Sequence, residues 1–374
     1  MIKFKEKIYI TSPLLPPIEK MTDELSDIWN SKWLTNMGKK HKSFEESLRK
    51  ELKVPYVSLF NNGTIALLTA LKALDLPAGS EVITTPFTFA ATPHVISWNN
   101  LKPVFCDIEP ETMTIDANKI EAAVTSRTSA ILAVHVYGFP CNIKKIQAIA
   151  KKHNLKVIYD GAHVFSTEID GKGIGNFGDI TMFSFHATKL FNTAEGGCLT
   201  YRDSKLVDKI YNLRNFGIHN EDEVVDVGIN GKMSEILASM GMLNLKIYRK
   251  EMAKRKRIRL KYNNLLSKVN GIKIPALSGN TTDSCQYFPI VLGKGYFQSR
   301  DELYCVLRKN NVMARKYFYP ICSDFEPYKR MKSSQKDNLP VANDLKNRVL
   351  CLPFYGSLTE AQVAGICEII AGKI

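Results

Sequence analysis

The chain has 374 residues, 45% of them hydrophobic and 24% charged, a balance that excludes global disorder and supplies enough apolar surface for a sizeable core. At roughly 150 residues per domain, the length predicts two domains or one large domain with an appended lobe. Lys and Arg number 51 against 37 Asp and Glu; the net charge of +14 favours an anionic partner without choosing among nucleic acid, a membrane surface and a phosphorylated small molecule. No stretch approaches the ~20 apolar residues of a membrane span. Residues 1–7 are charged and lead into no apolar segment, so a soluble, cytoplasmic protein is expected. The eight cysteines include no close pair, so neither a disulfide framework nor a zinc site or other metal is expected.

In chain order, residues 1–40, with Ser12-Pro13-Leu14-Leu15-Pro16-Pro17, read as an arm that packs on the rest. Tyr56-Val57-Ser58-Leu59-Phe60 reads as a strand, followed by a turn at Asn61-Asn62-Gly63 and a helix through residues 66–71. A strand at 81–85, a helix around 94–98, an extended run at 103–107 and a helix near 120–124 come next. The run at 130–136 is apolar enough for a strand buried on both faces; a helix at 143–152 then leads to a strand at 156–160 and another at 180–185. This β-α rhythm with continuously apolar strands predicts an α/β fold built on a mostly parallel sheet covered on both faces. A long helical segment is expected over 234–269. Beyond it lies a small α+β lobe, with strands near 286–292 and 349–352 and helices near 300–309 and 359–370. The division expected is an arm (1–40), a large α/β domain (41–245), and a connecting helix with a small domain (246–374). The densest basic run, 249–261, continues a helical pattern and reads as a solvated face or as an attractor of anions; no groove-reading motif surrounds it.

Ligands of such sheets sit beyond the carboxyl ends of the strands. There, Asp160-Gly161-Ala162-His163 closes one strand and Ser184-Phe185-His186-Ala187-Thr188-Lys189 follows another. A carboxylate and a lysine on neighbouring strand ends are what a pyridoxal 5′-phosphate (PLP) site needs. The lysine binds the aldehyde covalently, and the carboxylate keeps the pyridine nitrogen protonated so that the ring acts as an electron sink. Alone, this pair is a weak signal, because many α/β proteins carry Asp and Lys at strand ends.

The surrounding strings are more specific. Residues 183–189 with Phe191-Asn192-Thr193-Ala194-Glu195-Gly196-Gly197 resemble the lysine segment of the DegT/DnrJ/EryC1/StrS family of PLP-dependent sugar aminotransferases. The resemblance extends to Trp33-Leu34-Thr35-Asn36-Met37-Gly38, to Asn62-Gly63-Thr64-Ile65-Ala66-Leu67 and to the string at 86–92. It continues through 228–235 and Arg315-Lys316-Tyr317-Phe318-Tyr319-Pro320. It implies the aspartate-aminotransferase fold (PLP fold type I), with a seven-stranded-type sheet domain and a smaller C-terminal domain. It also implies roles. Lys189 matches the covalent lysine and proton carrier, Asp160 the partner of the ring nitrogen, and His163 the residue that reaches the cofactor's phenolic oxygen. Phe89 matches the aromatic stacked on the ring, with Ala162 against the other face. Gly63, Thr64 and Ser184 match the phosphate contacts. Relatives complete the phosphate pocket from a second subunit through the segment matching 228–233, where Asn230 and Lys232 are both candidates, so a homodimer is implied.

The resemblance further implies a nucleotide-linked keto-sugar as acceptor and L-glutamate as donor, with a pyridoxamine phosphate form in the cycle. Arg315, Lys316, Tyr317 and Tyr319 match a string bordering the sugar-nucleotide cleft; as residue types they equally suit ordinary surface. His186 stands beside an intact lysine, unlike relatives that place histidine at the lysine position and dehydrate. Members that aminate C3 carry a Ser-Phe-Tyr-Pro-Gly-Lys string. Phe185-His186-Ala187-Thr188-Lys189 looks more like members that aminate C4 of dTDP-4-keto-6-deoxy-D-glucose to give dTDP-4-amino-4,6-dideoxy-D-glucose (dTDP-viosamine), an O-antigen precursor. A C3 enzyme, one acting on UDP- or GDP-sugars, and a non-catalytic PLP or sugar-nucleotide binder are the alternatives.

Overall fold

Seven strands form the central sheet of the computed structural model, which describes residues 4–277 and 279–373. Helices α1 (Ile18–Ser31) and α2 (Lys39–Glu51) precede β1 (Tyr56–Phe60). The chain then alternates through α3 (Gly63–Ala73), β2 (Glu81–Thr84), α4 (Ala91–Trp98), β3 (Lys102–Phe105), β4 (Thr128–Val134), α5 (Ile143–His153) and β5 (Lys156–Asp160). A small hairpin, β6 (Glu168–Ile169) with β7 (Lys172–Gly173), leads to β8 (Ile180–Ser184), β9 (Gly197–Tyr201) and α6 (Leu206–Leu213). The sheet order is β1-β9-β8-β5-β4-β2-β3, with β9 antiparallel to both neighbours and every other pair parallel. Ile131, Leu132, Ala133, Ile158 and Phe183 are wholly buried, as strands covered on both faces require.

After a second hairpin, β10 (Ile218–Asn220) with β11 (Glu223–Val224), the predicted long helix is two helices, α7 (Glu235–Leu245) and α8 (Tyr248–Leu266). The break falls at Ile247, whose φ of −120° is not helical. Packing explains it better than sequence does. Gly241 of α7 presses against Phe44 of α2, where a Cβ would stand 2.3 Å from the ring, while α8 turns away onto the helix Glu360–Ile370 of the small lobe. The helix expected near 120–124 is a single 3₁₀ turn, Glu121–Ala123. Its Glu121 and Ala122 are exposed, so no buried face holds further turns.

The small lobe contains β12 (Ile272–Lys273), β13 (Phe288–Leu292), α9 (Arg300–Lys309), α10 (Pro340–Leu345), β14 (Val349–Leu352) and α11 (Glu360–Ile370). Its antiparallel sheet β12-β13-β14 packs a core of Phe288, Ile290, Leu350, Tyr262 and Ile366. The arm touches both bodies. Ile8 pairs with Val312 and the Ile10 carbonyl accepts from Phe354, whereas the Leu14 carbonyl accepts from Asn192 and Asn244. The basic run is solvated only in part. Arg255 is fully buried, paired with Glu251 at 2.8 Å, and Arg259 pairs with Asp283 at 2.7 Å, so two of its cations brace the lobe.

Glu45 ties α2 to the end of β1, accepting from Leu59 N (2.9 Å), Arg214 Nη1 (2.6 Å) and His41 Nε2 (3.2 Å). Burial raises its pKa, but Arg214 and His41 prevail and hold it down at about 2. A depressed carboxyl pKa contributes stability above the usual carboxylate range and loses it as pH falls toward the folded value. Glu45→Gln should therefore cost about 3 kcal/mol near neutral pH, because Arg214 is left without its counter-charge. The check is a urea midpoint that falls at neutral pH and converges with wild type in acid.

Candidate active site

Except for β9, every strand of the central sheet ends at the same edge, and the site is built there. Beyond β1, the Asn62 side chain caps α3 by accepting from Ile65 N at 2.8 Å. The first-turn amides of Gly63 and Thr64 have no intrahelical acceptor and face outward at the positive end of the helix. Close packing brings β8 and β9 to this turn. A Cβ on Gly63 would stand 3.0 Å from Ser184 Cβ, and one on Gly197 would stand 2.8 Å from Gly63 Cα. The Ser184 hydroxyl therefore lies beside the α3 amides.

Asp160 ends β5 and is 5% exposed. Its Oδ1 accepts from Ala162 N at 3.1 Å and its Oδ2 from Thr92 Oγ1 at 3.0 Å. Burial raises its pKa; those two bonds and the Lys189 charge act in the opposite direction. Lys189 stands on a turn closed by its own N–H on the His186 carbonyl (2.8 Å). Gln286 of the small lobe clamps that turn, accepting from Leu190 N and donating to the Thr188 carbonyl. Burial lowers the Lys189 pKa to about 8 against the opposing pull of Asp160.

His163 is also 5% exposed, and its Nδ1 accepts from the Tyr137 backbone N–H at 3.1 Å. A backbone N–H can only donate, so in the neutral ring the proton sits on Nε2. Burial first, then the Lys189 and His135 charges, keep the ring neutral by holding its pKa well below the usual value.

Gly63, Thr64, Phe89, Asp160, His163, Ser184, Lys189, Arg315 and Tyr317 line one cavity of about 580 Å³. The Phe89 ring is 64% exposed at its wall, a large apolar face left uncovered. Lys316 and Tyr319 do not line the cavity. Lys316, next to Arg315, turns out to Asp301 at 2.5 Å, and Tyr319, 48% exposed, lies under the Arg300 guanidinium. Asn230 and Lys232 also lie outside it in this chain. The Asn230 carbonyl accepts from the Asn61 side chain beside the turn that opens α3, and Lys232 Nζ donates to Asn215 at 2.7 Å over the Phe216 ring. The cavity also contains Tyr287 and Phe318 from the small lobe, and Thr88, His186 and Glu195, none assigned a cavity role from sequence. His186 and Glu195 stand inside the quoted lysine string; Tyr287 carried no signal beyond a strand expected near it.

The model of the DegT/DnrJ/EryC1/StrS aminotransferase family matches residues 18–371. The chain belongs to this family. It is 45% identical over 370 residues to the dTDP-4-amino-4,6-dideoxy-D-glucose transaminase of Escherichia coli, covering 98% of this chain and 99% of the relative. It is 42% identical to the transaminase of the same name from Shigella dysenteriae, covering 95% and 96%. Among solved structures, DesI in the presence of its TDP-sugar product superposes with a TM-score of 0.93 at 31% identity, over 99% of this chain and 94% of that one.

The aminotransferase's cofactor is PLP, and the cavity's donor set fits it. An anion-binding helix end with a hydroxyl suits the phosphate, a buried carboxylate suits a protonated ring nitrogen, an imidazole N–H suits the phenolic oxygen, and a bare aromatic face suits the ring. Lys189 is the amine within this set. Its depressed pKa sets a sign: only the neutral amine is nucleophilic, so covalent capture of PLP by the cofactor-free aminotransferase should quicken with pH and level off above about 8. Growth of the visible absorption band measures this; a rate flat from about pH 7 to 9 contradicts it.

Proposed function

We propose that this aminotransferase moves the amino group of L-glutamate to C4 of dTDP-4-keto-6-deoxy-D-glucose, giving dTDP-4-amino-4,6-dideoxy-D-glucose. Near full-length similarity to two transaminases of that dTDP-sugar carries the reading. The intact set of Lys189, Asp160 and Ser184 at one cavity supports turnover over mere binding.

PLP supplies the electron sink for the carbon that exchanges its amino group. The chain's own residues do the rest. Gly63 and Thr64 amides with the Ser184 hydroxyl would hold the phosphate. Phe89 and Ala162, which line the same cavity, would pack against the ring and exclude water from it. Asp160 would hold positive charge at the ring nitrogen, and His163 Nε2–H would donate to the phenolic oxygen. Lys189 Nζ carries the proton to and from the reacting carbon. A pKa near 8 leaves it neutral part of the time, which a carrier requires. Arg315 lines the same cavity and suits bidentate contact with a carboxylate or phosphate, so both donor and nucleotide have an anchor. Lys316 and Tyr319, turned away, contribute at most through Arg300 and Asp301.

A homodimer and a cytoplasmic location belong to the same proposal, as does the division into arm, large domain and small domain. Trp98 and Val227, 80% and 83% exposed, flank one shallow cleft beside the 228–233 segment, an apolar face that a second subunit would cover. Asn230 and Lys232 would then meet the partner's phosphate. Among the described residues no helix is long and apolar enough to cross a membrane.

The test is product NMR after incubation with glutamate, PLP and dTDP-4-keto-6-deoxy-D-glucose. Nitrogen on C4 with an equivalent of 2-oxoglutarate is expected. Nitrogen on C3, or turnover confined to a GDP- or UDP-linked sugar, contradicts the reading.

A further inference from the structure

We propose that Thr92 is a positioning residue for amino transfer: its hydroxyl, held in turn by Thr88, fixes the orientation of the Asp160 carboxylate. This rests on the role proposed for Asp160. Three wholly or nearly buried groups form a line: Thr88 Oγ1 lies 2.9 Å from Thr92 Oγ1, which lies 3.0 Å from Asp160 Oδ2. An ionised carboxylate only accepts, so Thr92 donates to Asp160, and its oxygen is left to accept from Thr88. The direction of the line is thereby set.

Two donors, one on each oxygen, do what one cannot. Ala162 N on Oδ1 and Thr92 on Oδ2 lock rotation about the carboxyl bond and offset the burial that favours the uncharged acid. Threonine suits the task because its branched Cβ restricts χ1. The same turn couples two features of the site. The Thr92 backbone N–H donates to the Phe89 carbonyl at 3.2 Å, so the turn that presents the Phe89 ring to the cavity also aims the hydroxyl at Asp160. The proposed ring-stacking face, on Phe89, and the group that aims Asp160, on Thr92, thus sit on one turn where the chain enters α4. Valine fills the same volume without the donor; serine keeps the donor.

The experiment titrates PLP into cofactor-free wild type, Thr92→Val, Thr92→Ser, Asp160→Asn and the Thr92→Val/Asp160→Asn double variant. It also follows the single-turnover reaction with glutamate. Thr92→Val should weaken cofactor binding and slow that reaction by on the order of tenfold to a hundredfold, the loss of a hydrogen bond to a charged group. Thr92→Ser should recover most of both. On the Asp160→Asn background the valine should add little, because the group it acts through has gone. Equal cost of Thr92→Val on both backgrounds overturns the proposal while leaving Asp160 in its role; so does a Thr92→Val variant that matches wild type. Asp160→Asn indistinguishable from wild type overturns the reading of Asp160 itself, and the inference with it.

Discussion

Lys189→Ala is expected to lose turnover by on the order of 10⁴-fold or more, because the proposed function gives one amine both the attachment of the cofactor and the transfer of the proton. The protein should still fold and bind PLP, since the α3 amides, Ser184 and the Phe89 ring do not depend on the lysine. Lys189→Arg separates charge from chemistry. A guanidinium keeps the positive charge beside Asp160 but has no neutral form at working pH, so it should be as inactive as alanine. The rate of 2-oxoglutarate release over hours reads both; near wild-type release from either variant contradicts the role.

Asp160→Asn should fall by about 10²- to 10³-fold, the cost of removing a preorganised charge from a buried site. It should leave the KM for the nucleotide sugar nearly unchanged, because Asp160 is buried and its two oxygens are taken by Ala162 N and Thr92 Oγ1. A second readout follows from electrostatics alone. Asp160 opposes the burial that lowers the Lys189 pKa, so its removal should shift the pH profile of cofactor capture to below about 8. A variant slowed equally in KM and kcat, with that profile unmoved, would mean Asp160 acts as packing.

The parallel sheet was legible because its strands are continuously apolar: Lys156–Asp160 reads in sequence as it folds, and Asp160 and Lys189 then fall at neighbouring strand ends. The lysine string carried Ser184, His186 and Glu195 with it. What stayed hidden depends on distance along the chain or on direction. Thr92 and Asp160 are 68 residues apart in sequence, and nothing local marks a hydroxyl aimed at a carboxylate. Tyr287 and Gln286 reach the lysine turn from the other lobe. Arg315 and Lys316 are neighbours of the same charge type, and nothing local marks which one lines the cavity and which turns to Asp301. The α7–α8 break has no proline or glycine at the junction to announce it; packing of Gly241 on Phe44 and of α8 on the small lobe sets the turn.

The most direct measurement takes the two halves of the reaction apart. The PLP-loaded aminotransferase is treated with glutamate, the donor is removed, and dTDP-4-keto-6-deoxy-D-glucose is added alone while visible absorbance is followed. The original band should bleach with glutamate and return with the sugar within a single turnover. A band that bleaches but never returns contradicts the assigned acceptor, and one that glutamate leaves untouched contradicts the assigned donor.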